Sequence, residues 1–223
     1  MELTVGCQEL RPLIEFAKKE RELKMKAVVF VDVQNDFVKG GKLAFGYPVE
    51  DNLQKVVEFA KQCVNDPDCK IYATRDTHEA TKSIYHFEGD KMISDPQSGY
   101  LATLEGKKLP VEHCVEGSNG WNIVDSLMDV IHTHCTFVNK PTFGSFDLCE
   151  IIDEDIKRNN CKIDEIVVLG YCTSICVLSN AVLLRAKFPD MKISVMKDLC
   201  GCVSEESHRA ALKALEMQQI DVV

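Results

Sequence analysis

The sequence has no apolar stretch that approaches the roughly 18 residues of a membrane span. Its N-terminus, MELTVGCQELRPLIEFAKKERELKMK, has neither an apolar signal core nor a small-residue cleavage site. No export signal is therefore expected, and the protein is read as cytoplasmic. Excess positive charge is also missing: the formal net charge is −9. That argues against unaided binding to nucleic acid or to an anionic membrane. There are no internal repeats and no low-complexity linkers. A single domain is thus expected over residues 27–223, after a helical extension over residues 1–26 in which Glu9–Lys26 reads as a charged helix. Even the cysteines lack a framework. Eleven is an odd number, and a chain of 223 residues is not small, which argues against a secreted disulfide scaffold. Most of them are expected to pack as small apolar groups.

What the sequence does hold is a regular alternation. KAVVFVDV is a continuous apolar run, as a buried parallel strand should be. NLQKVVEFAKQCV has helical spacing, and CKIYATRD reads as the next strand. NIVDSLMDVI is helical, CTFVNK a short strand and DLCEIIDEDIKRNN a helix. IDEIVVLG and KISVMKDLC are strands that flank the helix ICVLSNAVLLRAKF. SEESHRAALKALEMQQ closes as a helix, with Ser204 and Ser207 as plausible caps. Residues Thr77–Gly120 read as one long irregular functional region. Strands that alternate with helices predict an α/β fold: a Rossmann-like, mostly parallel sheet with helices on both faces.

The polar residues fall at strand ends. Asp32, Asp76, Lys140 and Asp198 each close a strand, and Cys172 and Cys176 follow the fourth. Ligands of open α/β sheets bind outside the carboxyl ends of the strands, so these groups are expected to converge. Cys176 stands where a strand turns into a helix. Unsatisfied N–H groups there, with Lys140 nearby, are expected to push its thiol toward thiolate. Asp32 can then act as proton acceptor and donor, and N–H groups of the turn can hold an oxyanion. Cys172 competes as nucleophile but is expected to pack inward. A structural zinc site lacks a second well-spaced cysteine pair, the CGC at Cys200–Cys202 being too tight, and a redox dithiol would more typically be C-x-x-C. A second cluster lies in the long loop. Asp76 and His78 are two apart, and His113 follows; Glu105 and His86 are candidate fourth ligands. One carboxylate and two imidazoles suit zinc, with manganese or iron as alternatives.

Five segments in order, VFVDVQNDF, RDTH, LPVEHCVEG, NKPTFGSF and GYCTSICV, resemble the nicotinamidase/isochorismatase-like cysteine hydrolases. The resemblance runs from about Ala27 to the C-terminus. It implies the isochorismatase-like hydrolase fold, a triad of Asp32, Lys140 and Cys176, and a cis peptide at Tyr171–Cys172. It also implies an oxyanion hole from the N–H groups of Cys172 and Cys176, one divalent metal on Asp76, His78 and His113 with Glu105 as fourth ligand, and a homo-oligomer. Phe37 and Tyr171 are the expected pocket walls. The chain departs from the family pattern in three places. Lys82 or Ser83 stands where a second histidine often follows Asp-x-His. The segment from Glu79 to Gly99 is longer than in shorter members. Leu109-Pro110 replaces a Trp-Pro element, which removes an aromatic wall. The implied reaction is hydrolysis of nicotinamide to nicotinate and ammonia through a thioester. Related carbamoyl or ureido amides are the alternative, and isochorismatase-type vinyl ether hydrolysis comes third. A metal- or redox-responsive scaffold is the non-enzyme alternative, and the complete triad argues against it.

Overall fold

The computed structural model describes residues 25–159 and 163–223. The charged helix expected over Glu9–Lys26 lies outside the described residues, except that Met25 and Lys26 open the first strand. Strands β1 (Met25–Val31), β2 (Cys69–Asp76), β5 (Cys135–Lys140), β6 (Ile163–Tyr171), β7 (Lys192–Gly201) and β8 (Asp221–Val222) form one sheet. Its order is β5-β2-β1-β6-β7-β8, and every pairing is parallel. The chain builds outward from β1 to β5, then returns to lay β6 against the free edge of β1. The carboxyl ends of β1 and β6 therefore flank the point where strand order reverses, which is where such sheets open a crevice.

The sheet is buried because helices cover it. Helix α1 (Val49–Asn65) buries Val49, Asn52, Val56, Ala60 and Cys63, one stripe at three- and four-residue spacing. It packs with α3 (Asp125–Ile131), whereas α4 (Phe146–Asn159), α5 (Leu178–Lys187) and α6 (Glu205–Met217) pack with one another. Two separate helix layers leave β1 with both faces apolar: Ala27 to Val31 are all buried. Ser204 and Ser207 form a reciprocal capping box at the start of α6, as their positions suggested.

The long irregular region holds more structure than expected. Lys82–Glu88 (β3) and Lys91–Ser98 (β4) form a separate antiparallel hairpin, and Leu104–Lys108 is a short helix, α2. Gly89, with φ of 65°, supplies the hairpin's turn. Ile84, Tyr85, Phe87 and Met92 are all exposed on it, so no buried face marks these strands in the sequence. Strand β8 was likewise not expected; it adds only two residues at the sheet's edge. Among the described residues, no helix is long and apolar enough to cross a membrane.

Candidate active site

Four strands deliver side chains to one crevice. Asp32 ends β1 in the left-handed region, with φ of 50°, and is fully buried. The Thr74 hydroxyl donates to its Oδ1 at 2.6 Å. Lys140, at the end of β5, reaches across β2 and places Nζ 2.6 Å from Asp32 Oδ2, 3.4 Å from Asp76 Oδ1 and 3.6 Å from Cys176 Sγ. The Thr142 carbonyl lies 3.1 Å away as well, so its three N–H groups are shared among four acceptors. The expected Asp–Lys–Cys trio is therefore one contact cluster. Gly170 makes the approach possible: a Cβ there would lie 2.1 Å from the Val31 carbonyl oxygen, and its φ is 122°.

Cys176 sits in a π-helical turn, Thr173–Val177, that leads into α5. Asn180, fully buried, anchors this turn by donating to the Cys176 carbonyl at 2.8 Å and to the Phe143 carbonyl at 3.1 Å, while accepting from the Ser145 N–H. The Tyr171–Cys172 peptide is cis, as expected. Ile175 and Val177 donate to the Cys172 carbonyl.

Burial dominates the titration of this cluster. It pushes the Cys176 thiol well up; Lys140 pulls it down, and the Asp32 and Asp76 carboxylates push it up again. Burial and the two acids thus oppose the push toward thiolate expected from the helix end and Lys140. Burial also raises Asp32 against the pull of Lys140. Lys140 itself, despite burial, is held well above its ordinary value by Asp32, Cys176 and Asp76. Burial thus favours the protonated form of both the Cys176 thiol and the Asp32 carboxyl, and Lys140 opposes it at each.

The second cluster adjoins the first through Asp76. Asp76, His78 and His113 are all buried, and one ligand atom of each falls within 4.8 Å of the others. Asp76 Oδ2 is 3.0 Å from His78 Nε2 and 3.2 Å from His113 Nε2. His113 Nδ1 lies 2.7 Å from the Val111 carbonyl, which fixes that nitrogen as the donor and turns the Nε2 lone pair inward. The chemistry and convergence of this set fit a divalent metal. Burial would raise Asp76, but Lys140, His113 and His78 outweigh it and hold the carboxyl well below its ordinary value.

The other expected residues divide. Glu105, on α2, is half-buried beside this cluster, and burial together with Asp76 raises its carboxyl. It stands outside the group of three convergent ligand atoms. His86 is on the exposed hairpin, 3.2 Å from Asp95 and 3.6 Å from Glu88, and is remote in role from the site. Phe37 is buried with its ring 5.6 Å from that of His113. Tyr171, by contrast, turns inward: it is fully buried and its hydroxyl donates to Asn52 on α1 at 2.9 Å, so it is core rather than pocket wall. Asp198 is exposed and does not join the others. The β6–β7 register jumps from Val168↔Val195 to Gly170↔Cys200, and Asp198 lies in the bulge this creates.

Several contributors were not anticipated. Tyr100 packs its buried ring 4.6 Å from His78 and 4.9 Å from His113, and its hydroxyl bonds the Leu109 carbonyl. It supplies aromatic surface near the position where the Trp-Pro element is missing. Gln34 clamps the Asp76 backbone, accepting from its N–H at 2.7 Å and donating to its carbonyl at 2.8 Å. Gln34 lies in the VDVQNDF segment, which was a visible signal; Tyr100 had none. A cavity of ≈ 520 Å³ adjoins the site, lined by Leu104, Glu105, Leu109, Thr142 and Phe143 among others.

A family model for the isochorismatase domain matches residues 26–223. Nicotinamidase/pyrazinamidase from Mycobacterium tuberculosis is 25% identical over 212 residues, 89% of this chain and 98% of that protein. The crystal structure of nicotinamidase/pyrazinamidase from Bacillus subtilis superposes with a TM-score of 0.69 at 20% identity, covering 89% of this chain and 99% of that one. Pyrazinamidase of Pyrococcus horikoshii, solved in complex with zinc, gives a TM-score of 0.66 at 20% identity, covering 89% and 98%. With the fold, the strand-end cluster and a match along nearly all of the described chain in agreement, this protein belongs to the isochorismatase family of hydrolases and stands on its nicotinamidase side.

Proposed function

We propose that this enzyme hydrolyses nicotinamide to nicotinate and ammonia through a thioester on Cys176. The observation that carries the reading is the position of Lys140, whose ammonium touches Asp32, Cys176 and Asp76 at once. One cation thereby joins a nucleophile and its base to the metal cluster.

The thiol of Cys176 attacks the amide carbon as Asp32 takes its proton. The N–H groups of Cys172 and Cys176 hold the oxyanion that forms. Asp32 returns the proton to the departing ammonia, then takes one from the water that cleaves the thioester. Lys140 stays charged throughout and keeps the Asp32 carboxylate aimed at sulfur. Asp76, His78 and His113 would hold a divalent metal, zinc first, with Glu105 as a fourth partner. That metal would supply a Lewis acid for the substrate's ring nitrogen. Phe37 and Tyr100 would flank the ring.

A carbamoyl or ureido amide is the second reading. The aliphatic Leu109 and the apolar cavity beyond Glu105 favour a substrate that does not depend on ring stacking at that wall. The test is ammonia release from nicotinamide, run beside Cys176→Ala and a chelated sample. Release that both controls abolish is the expected result. No release from metal-loaded protein would contradict the nicotinamide assignment and direct the assay to ureido and carbamoyl amides.

A further inference from the structure

Two cysteines outside the triad meet where β6 and β7 end. Tyr171 lies opposite Gly201 in the sheet register, so the residues that follow, Cys172 and Cys202, are brought together across 30 positions of chain. They are 1% and 0% exposed, and their sulfurs are 3.4 Å apart as free thiols. Ser174 Oγ is 3.2 Å and Ser207 Oγ 3.3 Å from the Cys202 sulfur, and Ser174 Oγ is 3.5 Å from that of Cys172. Cys202 thus has a thiol and two hydroxyls around it, and none of the three is a carboxylate. It also precedes the Ser204 cap of α6 by two residues, at the positive end of that helix. The Cys172 thiol donates to the Cys202 sulfur, and a hydrogen bond received by sulfur favours its thiolate. The Cys172 thiol first, and then the serine hydroxyls, hold the Cys202 thiol well below its ordinary range in spite of burial. Ser174 and Ser207 are only half-buried, so the pair lies one side chain beneath the surface.

We propose that Cys172 and Cys202 are a peroxide-reactive dithiol whose disulfide switches the adjoining hydrolase site off. The Cys202 thiolate attacks one oxygen of hydrogen peroxide. The S–O bond forms as the O–O bond breaks, and the departing hydroxide takes a proton to leave as water. The Cys172 thiol then attacks the sulfenic sulfur; the S–S bond forms, the S–O bond breaks, and the second oxygen leaves as water with the thiol proton. Two thiols are oxidised and one peroxide is reduced to two waters.

The sulfurs must close from 3.4 Å to about 2.05 Å. The Cys172 carbonyl accepts from Ile175 and Val177, so this residue is tied to the turn that carries Cys176. A close-packed interior has no slack to absorb the shift, and the N–H groups of that turn move with it. The loss of activity rests on the hydrolase reading above; formation of the disulfide does not.

The test uses the full chain, reduced and zinc-loaded, treated with stoichiometric hydrogen peroxide and mapped by peptide mass without reductant. The expected product is a Cys172–Cys202 cross-linked peptide, lighter by two hydrogens and formed before Cys176 is oxidised. Nicotinamide hydrolysis should fall by about 10²-fold, the scale of a displaced oxyanion donor, and dithiothreitol should restore it. Cys202→Ser and Cys202→Ala should keep basal hydrolysis and lose both the cross-link and the reversible inactivation. Cys172 and Cys202 remaining free while Cys176 gains oxygen would overturn the proposal. So would a quantitative cross-link that leaves turnover unchanged. If the untreated protein hydrolyses no amide, the peptide map alone decides the dithiol, and it is the hydrolase reading that fails.

Discussion

Cys176 and Cys202 are both buried at the carboxyl edge of the same sheet, yet their surroundings push their thiols in opposite directions. Cys176 faces Asp32 and Asp76, and burial first, then those acids, push its thiol up against the pull of Lys140. Cys202 faces a thiol and two serine hydroxyls, and the Cys172 contact first pulls its thiol down. Depth alone therefore does not set a thiol's acidity; the groups packed around it decide the direction.

The largest effect that would break this contrast is on turnover. Cys176→Ala should lower kcat/KM for nicotinamide by about 10⁴-fold or more, whereas Cys202→Ala under reducing conditions should stay within about twofold. Steady-state assays of the two variants side by side check it. Next comes Lys140→Met, which leaves Asp32 and Asp76 buried without their shared cation. It should cost about 3–5 kcal/mol of stability, read from the urea midpoint, and abolish turnover. Chelation should act on one region only. Hydrolysis should fall and return with zinc, while peroxide-driven cross-linking of Cys172 and Cys202 proceeds at an unchanged rate in the chelated protein. The smallest effect is a pH dependence. A folded-state thiol lowered below its unfolded value stabilises the protein fully above the unfolded value, about 8.5. That contribution is lost as the pH falls through the lowered folded value. The stability gap between the reduced protein and Cys202→Ala should therefore widen as pH rises toward that point, measured by denaturant titration at several pH values.

Much of the crevice was legible in the sequence because it is written at strand ends. Asp32, Asp76 and Lys140 each close an apolar run, and parallel strands must bring such ends to one edge. Cys176 follows the run that pairs with β1, so its place was also readable. The misreadings share a cause: they depend on register and depth. Asp198 ends an apolar run too, but a bulge carries it away from the edge. Tyr171 looks like a pocket residue until the helix above it offers Asn52. The β3–β4 hairpin has no buried face, so periodicity could not reveal it. The pulls on the Cys176 thiol were only half legible: the helix terminus is visible in the sequence, whereas the two acids and the burial that oppose it come from distant strands. The Cys172–Cys202 contact is likewise a product of strand pairing, which residue spacing along the chain does not reveal.

The most direct test of the account is to quench nicotinamide turnover with acid and locate the acyl group by peptide mass. The account predicts a nicotinoyl thioester on the peptide that contains Cys176, present in the wild type and lost in Asp32→Asn. An acyl group on Cys172 or Cys202, or ammonia release with no acylated cysteine at all, would contradict it.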